Sequence, residues 1–163
     1  MNTNLLTALV NISQNKETDL NKLYQNKNLG RQIINRANAM GELLEFYVKD
    51  AFCGSFNENG DRIKTYEKYF SYLGSQNNPP DFIIKNGDAV EVKKIIGLNP
   101  SDIALNSSYP KNKLYSDSSL ITQMCRKCEN NSWKEKDIIY SIGSFKQTKL
   151  NFLIFAYGDC LAA

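Results

Sequence analysis

Two carboxylates and a lysine interrupt the apolar residues of two short predicted strands in the stretch 79–94. Asp81 precedes the first apolar run, and Glu91 and Lys93 alternate with the valines of the second. Side chains two positions apart in a strand point to the same face, so Glu91 and Lys93 share one. Carboxylates are the oxygen ligands that Mg²⁺ accepts, and a nearby lysine can orient a water molecule or face a phosphate.

The orientation of Asp81 depends on the turn between the two strands. Asn86 and Gly87 mark a tight hairpin turn, because both residues tolerate the positive φ that such a turn needs. A two-residue loop would place Asp81 and Glu91 on opposite faces of the hairpin. A three-residue loop, with Gly87 in the left-handed region, would set Asp81 directly across from Glu91. We predict this three-residue loop or an equivalent bulge.

Two carboxylates that face each other repel unless a cation lies between them. A divalent cation such as Mg²⁺ fits this requirement, since it combines one or two carboxylates with waters and substrate phosphate oxygens. The alternative is a solvated hairpin face that carries an ordinary cross-strand ion pair. The spacing by itself leaves both interpretations open.

Composition is that of one soluble domain. The chain has 163 residues, of which 42% are hydrophobic and 23% charged, and its net charge of +3 allows a nucleic-acid partner without requiring one. No histidine is present, which removes the usual general base and the commonest zinc ligand. Hydrolytic chemistry would therefore depend on carboxylates, lysine or metal-bound water.

No secretory signal or membrane-length apolar run is visible, so we expect a cytoplasmic protein with free thiols. Cys125 and Cys128 form a CxxC pair, but a second pair is missing. A zinc site would have to recruit Cys53 and Cys160, which makes free thiols the favoured interpretation.

A long amphipathic helix is predicted to carry a further carboxylate toward the hairpin. Apolar residues recur at helical spacing from Ile33 to Phe52, and we expect the helix to end at Gly54. Glu45 lies at the edge of this apolar stripe, with Glu42 roughly on the same side. Glu45 either reaches the Asp81–Glu91 site or is a solvated helix carboxylate.

The remaining elements are predicted from periodicity and turn residues. We expect a short helix over 4–12, a loop or loosely docked helix over 13–28, a polar loop over 56–62, an aromatic-rich strand over 65–73, a helix over 116–128 capped by Ser116 or Asp117, and strands over 138–142 and 152–157. The order helix, three strands, helix, strand indicates an α/β (α+β) domain with a central sheet flanked by helices. It spans residues 1–163, with a poorly defined segment over 1–30.

A long polar segment follows Lys94 and is rich in turn residues. Loops of this length in a compact domain are usually functional. Side chains that could meet DNA bases or phosphates are Lys94, Asn106, Ser107, Ser108, Lys111 and Lys113. A solvated connection is the alternative, and a solvated surface lysine is the alternative for each lysine taken singly.

Several strings of the sequence resemble a known family. The spacing of an Asp, about ten residues, a Glu, any residue and a Lys is the signature of the PD-(D/E)xK nucleases. The longer strings resemble the NgoPII type of type II restriction endonucleases within that group. They are NRANAMG (35–41), YVKD (47–50), FSYLG (70–74), NPPD (78–81), NGDAVEVKK (86–94), ALNSS (104–108) and KDIIY (136–140). The likeness runs from about residue 35 to the last residue.

The resemblance implies a PD-(D/E)xK core and a Mg²⁺-dependent endonuclease that cuts double-stranded DNA at a short palindrome, GGCC, in a bacterial restriction–modification system with a cognate DNA methyltransferase. By this likeness Asp81 and Glu91 are metal ligands, with the Val92 carbonyl as a further one. Lys93 is the catalytic lysine and Glu45 the helix glutamate of the Gly-x-x-x-Glu pattern. A palindromic target implies a two-fold homodimer.

Members of the family continue past the point where this chain stops, so the resemblance also leads us to expect a C-terminally truncated chain or a natural remnant. Two further functions stay open for that reason. One is a catalytically inactive DNA-binding remnant of such an enzyme. The other is a repair or recombination nuclease with the same core, which would cut without a fixed sequence.

Overall fold

A mixed sheet of six strands, flanked by helices, organises the part of the chain that this computed structural model describes, residues 1–24, 36–96 and 109–162. The helices are α1 (Leu5–Gln14), α2 (Leu20–Tyr24), α3 (Arg36–Cys53), α4 (Arg62–Tyr69), α5 (Gln123–Lys127) and α6 (Gly158–Leu161), with a 3₁₀ segment over Cys128–Asn131. The strands are β1 (Phe70–Tyr72), β2 (Phe82–Ile84), β3 (Ala89–Ile96), β4 (Lys113–Tyr115), β5 (Glu135–Lys146) and β6 (Lys149–Tyr157). The fold is therefore α+β, as the sequence predicts.

The hairpin of β2 and β3 lies inside the sheet and not at its edge. The strand order is β1-β2-β3-β5-β4, and β6 pairs with β5. Strands β3 and β5 are parallel over eight residue pairs, from Ala89 opposite Ile138 to Ile96 opposite Phe145, whereas the other pairings are antiparallel. Pairing on both sides fixes the backbone of β3, which carries the predicted site residues.

Helix α3 packs one apolar stripe against the sheet. Leu44, Tyr47, Val48 and Phe52 are fully or almost fully buried, which confirms the predicted long helix. The helix ends before Gly54, whose φ of 69° is the left-handed conformation common after helix C-termini. The predicted start at residue 33 lies outside the described residues.

A buried polar network joins helices α2, α3 and α4 within this core. The Asp50 carboxylate is 0% exposed and accepts hydrogen bonds from the Tyr24 hydroxyl at 2.8 Å, the Ser55 hydroxyl at 2.6 Å and the Tyr66 hydroxyl at 2.8 Å. Arg62 forms an ion pair with the same carboxylate. Burial raises the pKa of Asp50, while the charge of Arg62 and the three hydroxyls oppose that rise. A buried charge of this kind persists because it is paired and hydrogen-bonded.

The predicted strand over 65–73 is wrong for most of its length. Residues 62–69 form helix α4, and only 70–72 are extended. The carboxylate of Asp61 caps the helix by accepting hydrogen bonds from the backbone N–H groups of Ile63 and Lys64. Arg62, Thr65 and Tyr66 are buried together, and positions i, i+3 and i+4 lie on one face of a helix. Aromatic residues favour strands only weakly, and this packing outweighs that preference.

Other boundaries also differ from prediction. The helix predicted over 116–128 is reduced to α5, and its cap is Thr122 in place of Ser116 or Asp117. The hydroxyl of Thr122 accepts a hydrogen bond from the backbone N–H of Cys125 at 3.0 Å. Strand β5 extends the predicted 138–142 at both ends, and the short strand β4 has no counterpart in the prediction. The short helix predicted over 4–12 is confirmed as α1, and α2 lies within the segment predicted as a loop or loosely docked helix.

The helical cap of Asp61 gives a direct test of α4. Substitution of Asp61 by Ala removes the acceptor of two backbone N–H groups, and we expect the free energy of unfolding to fall by about 1 kcal/mol. Asp61→Asn retains a capping oxygen and should change it by only a few tenths. Urea unfolding of the two variants measures the difference. Equal stability of Asp61→Ala and the parent would contradict the assignment of the cap.

Candidate active site

The turn of the β2–β3 hairpin has the predicted three-residue loop. Phe82 pairs with Val90, and the N–H of Ile84 donates to the carbonyl of Asp88 at 3.0 Å, which leaves residues 85–87 in the loop. The left-handed residue is Asn86, with φ of 54°, whereas the prediction assigned that role to Gly87. Asparagine tolerates this conformation, so the register survives the change.

Glu129 holds the turn from outside the hairpin. Its Oε1 accepts hydrogen bonds from the backbone N–H of Asn86 at 2.8 Å and from the Ser71 hydroxyl at 2.9 Å, and its Oε2 lies 2.9 Å from Nζ of Lys136. Lys136 also donates to the carbonyl of Gly87 at 2.8 Å. Burial raises the pKa of Glu129, but Lys136 and the two donors outweigh burial and lower it. The turn is therefore fixed by charge-assisted hydrogen bonds.

Asp81 lies just before β2, at the end of the hairpin opposite the turn. Its N–H donates to the carbonyl of Val90 at 3.0 Å, and its Oδ2 accepts a hydrogen bond from the N–H of Val92 at 2.6 Å. Burial, Glu91 and Glu45, in that order, raise the pKa of the Asp81 carboxyl to about 8, against the N–H of Val92. The carboxyl therefore lies in the field of two other carboxylates.

Gly74 allows the backbone of Asp81 to occupy this place. Its φ of 96° is a conformation that L side chains rarely adopt, and a Cβ atom built on it would collide with the carbonyl oxygen of Asp81. In the sequence, Gly74 stands out only as the last residue of the string FSYLG (70–74). Its role depends on a contact with Asp81, seven residues further along the chain, which no local pattern reveals.

Glu91 and Lys93 form an ion pair on the neighbouring strand. The distance from Lys93 Nζ to Glu91 Oε1 is 2.6 Å, and the two side chains are 16% and 12% exposed, respectively. Oε2 of Glu91 is buried and has no hydrogen-bond partner among the described residues. A buried carboxylate oxygen without a donor is costly and suits a cation ligand.

Glu45 of helix α3 lines the same cleft as Asp81, and its role in the site stays a prediction. It raises the pKa of Asp81, and its Oε1 lies 2.6 Å from Nζ of Lys49. Lys49 lies four residues further along the helix, and its side chain is 7% exposed. It also donates to the carbonyl of Leu73 at 3.0 Å. Three carboxylates are thus accompanied by two lysines, Lys93 and Lys49.

The two principal carboxylates open onto different clefts. Asp81 lines a cleft of about 400 Å³ with Gly41, Glu42, Glu45, Gln76, Asn77, Val92 and Lys94. Glu91 lines a second cleft of about 360 Å³, to which Pro79, Pro80, Lys111, Lys113 and Tyr140 also contribute. The regular ladder ends at Phe82, and Asp81 is placed by two hydrogen bonds to β3, one from its own N–H to Val90 and one from the N–H of Val92 to its carboxylate. A metal ion held between the two carboxylates stays a prediction.

The donor set nonetheless fits a hard divalent cation. Asp81 and Glu91 supply carboxylate oxygens near one another, and one of those oxygens lacks a donor in the described part of the chain. Within the described residues no group of three or more His, Cys, Asp and Glu side chains is arranged to hold a metal. Protein ligands would therefore be few, which is usual for Mg²⁺ because it retains several waters.

The predicted DNA contacts are distributed around the two clefts. Lys94 lines the cleft of Asp81, and Lys111 and Lys113 line the cleft of Glu91. Lys113 is engaged by Glu135 at 2.6 Å and by Asp137 at 3.7 Å. Asn106, Ser107 and Ser108 lie outside the described residues.

The four cysteines carry free thiols. Cys125 is buried, Cys53 and Cys128 are half-buried, and Cys160 is exposed. Burial raises the pKa of the Cys125 thiol to about 12. Cys125 thus has the properties of a structural residue. Among the helices of the described residues, none combines the length and apolar character needed to cross a bilayer.

Comparison with known proteins assigns the chain to a family. The family model of the NgoPII restriction endonuclease matches residues 3–163, and the chain belongs to that family. A curated relative is the Type II restriction enzyme NgoPII of Neisseria gonorrhoeae, which is 45% identical over 157 residues. The match covers 95% of this chain and 53% of the relative, so the chain spans about half the length of that protein. No solved structure gives a significant match.

Sequence reasoning missed two residues of the site, Lys49 and Gly74. The spacing of Glu45 and Lys49 is that of a helical ion pair, which could have linked them. Nothing in the sequence indicated that the Lys49 side chain is buried.

Gly74 provides a test of how the site is supported. We expect Gly74→Ala to lower the free energy of unfolding by about 2 kcal/mol, because Ala is strained at positive φ and its Cβ displaces Asp81. Gly60→Ala is the matched control, since a Cβ there meets nothing within 4 Å. Chemical denaturation compares the two variants with the parent. Equal effects of both substitutions would contradict the packing of Gly74 against Asp81.

The raised pKa of Asp81 predicts a pH dependence of stability in the absence of divalent metal. The Asp81 carboxyl keeps its proton in the folded state up to a pKa of about 8, whereas in the unfolded state it loses the proton near pH 3.8. Its contribution to the free energy of unfolding therefore falls as the pH rises between these two values. We expect Asp81→Asn to remove this fall, so that its free energy of unfolding rises relative to that of the parent by about 1 kcal/mol or more between pH 5 and 8. That figure is the minimum, since it corresponds to a pKa shift of one full unit. Urea unfolding in chelator across this range measures it. Parallel pH profiles would contradict the shift.

Proposed function

We propose that this chain contains the catalytic core of a type II restriction endonuclease that hydrolyses phosphodiester bonds in double-stranded DNA. The observation that carries the proposal is the group formed by Asp81, Glu91 and Lys93 on one hairpin, in a member of the NgoPII family. The mixed sheet with this hairpin inside it supports a PD-(D/E)xK core. The name of the gonococcal relative supports the reaction.

Asp81 and Glu91 would hold Mg²⁺, with the backbone carbonyl of Val92 as a further ligand. The bound ion supplies Lewis-acid polarisation of the phosphate and a more acidic water. Lys93 is placed beside Glu91 at 2.6 Å, where its ammonium group can orient the attacking water and stabilise charge at the phosphate. Glu45 faces Asp81 from helix α3 and can accept a proton at the edge of the site.

DNA would approach the clefts on either side of Asp81 and Glu91. Lys94, Lys111 and Lys113 would contact phosphates there, and Asn106, Ser107 and Ser108 would read bases. We also propose that the recognition site is the palindrome GGCC, because the family resemblance implies it. A palindromic site would be bound by a two-fold homodimer. The functional partner would be a cognate DNA methyltransferase in the same bacterial cytoplasm.

Plasmid cleavage tests the proposal directly. The purified chain is incubated with plasmid DNA and Mg²⁺, alone and with the rest of the length of the gonococcal relative supplied in trans. We expect discrete fragments with one terminal sequence, and their loss by at least about 100-fold with Asp81→Ala or with a chelator. Asp61→Asn is a matched control, because it alters an exposed carboxylate on the far end of α4.

Each alternative has its own outcome in the same experiment. Fragments without a common end would favour a repair or recombination nuclease. DNA binding without cleavage, even with the remaining length supplied, would favour an inactive remnant. Cleavage by Asp81→Ala at the parent rate would refute the assigned site.

A further inference from the structure

Lys49 is a buried lysine that the proposed reaction does not use. Its side chain is 7% exposed, and its ammonium nitrogen lies between helix α3 and strands β1 and β2. It contacts the Glu45 carboxylate at 2.6 Å and the Leu73 carbonyl at 3.0 Å. It also lies 5.7 Å from the centre of the Phe82 ring, within cation–π range.

Burying an ammonium group is costly unless its donors are satisfied. An ion pair between Glu45 and Lys49 would stabilise helix α3 by only a few tenths of a kcal/mol, so helix stability does not account for the burial of Lys49. The contact with Leu73 is different, because it joins the helix to a strand end 24 residues away. Lys49 therefore links two separate parts of the fold.

Both contacts of Lys49 lead to the carboxylates of the site. Leu73 precedes Gly74, whose backbone packs against the carbonyl of Asp81. Glu45 acts electrostatically on Asp81 across the cleft that the two residues line. A shift of the Lys49 ammonium would thus be transmitted to Asp81 through the backbone on one side and through Glu45 on the other.

We propose that Lys49 is a positioning residue, which fixes Glu45 and the Leu73–Gly74 backbone so that Asp81 is held ready to bind a divalent cation. The inference rests on the proposed metal-dependent function and deepens it. Lys49 touches neither DNA nor the cation in this role. Its place is behind the site, where it acts through the residues it orients.

The direction in which one substitution changes the cation affinity distinguishes a positioning role from a purely electrostatic one. Loss of a positive charge near a cation site should strengthen cation binding by Coulomb's law. Loss of a group that orients the ligands should weaken binding, commonly by about 10- to 100-fold. Lys49→Met removes the charge and retains most of the side-chain length, so the direction of the change in affinity distinguishes the two effects.

The experiment measures Mn²⁺ binding by calorimetry at pH 7.5 on the parent and three variants. Lys49→Met is the test variant. Lys64→Met is the control for loss of a lysine from a helix, since Lys64 is 79% exposed and pairs with Asp61 at 3.7 Å. Val48→Ala is the control for destabilisation of α3, because Val48 is buried beside Lys49 and belongs to the core.

A second readout does not depend on metal. The N–H of Val92 donates to Oδ2 of Asp81 at 2.6 Å, so its ¹H–¹⁵N resonance and its hydrogen exchange report how firmly Asp81 is held. In Lys49→Met we expect this amide to move upfield and to exchange at least about tenfold faster relative to the most protected amides of β5. In both controls it should keep the ratio found in the parent.

The expected result is Mn²⁺ binding weakened about tenfold or more in Lys49→Met alone, together with the change at Val92. Unchanged or stronger binding in Lys49→Met would overturn the positioning role, as would an unchanged Val92 amide. A parent that binds no Mn²⁺ would refute the proposed metal site and leave the role of Lys49 to be decided by the Val92 amide alone.

Discussion

Compensation of negative charge at the open end of the β2–β3 hairpin is the constraint on which the site depends. Glu91 and Glu45 each act on Asp81, which is itself largely desolvated, and carboxylates in such surroundings repel strongly. Lys93 pairs with Glu91 and Lys49 with Glu45. In the described part of the chain, the hydrogen bond that the Asp81 carboxylate accepts comes from the N–H of Val92, and burial together with Glu91 and Glu45 raises the pKa of Asp81. The unbalanced charge is therefore concentrated where a divalent cation is proposed.

The surrounding fold holds this strained arrangement in place. Strand β3 is paired on both sides, so the backbone that carries Glu91 and Lys93 cannot shift independently. Glu129 fixes the turn at one end of the hairpin, and Gly74 abuts Asp81 at the other. Catalytic groups need positions defined to a fraction of an ångström, and elements clamped at both ends provide this better than a free hairpin.

The two clefts give the carboxylates unequal surroundings. Asp81 shares its cleft with Glu45 and Lys94, and Glu91 shares the other with Lys111 and Tyr140. Tyr140 accepts a hydrogen bond from the backbone N–H of Lys111 at 2.7 Å, which ties the chain that returns to the sheet at β4 to the strand beside Glu91. A substrate that touched both carboxylates would lie across the end of the hairpin and not inside one pocket.

The sequence by itself determined the hairpin, its three-residue loop and the long helix, because apolar periodicity and turn residues are local properties. It also singled out Asp81, Glu91, Lys93 and Glu45, whose roles stay a prediction, and it did not single out Lys49. The tertiary structure alone decided that α4 is a helix, that Asn86 and not Gly87 takes the left-handed conformation, and that Asp81 is placed by Val92 and Gly74. The burial of Lys49 was decided there as well, since it depends on contacts with Leu73 and Phe82, which are distant from the helix in the chain.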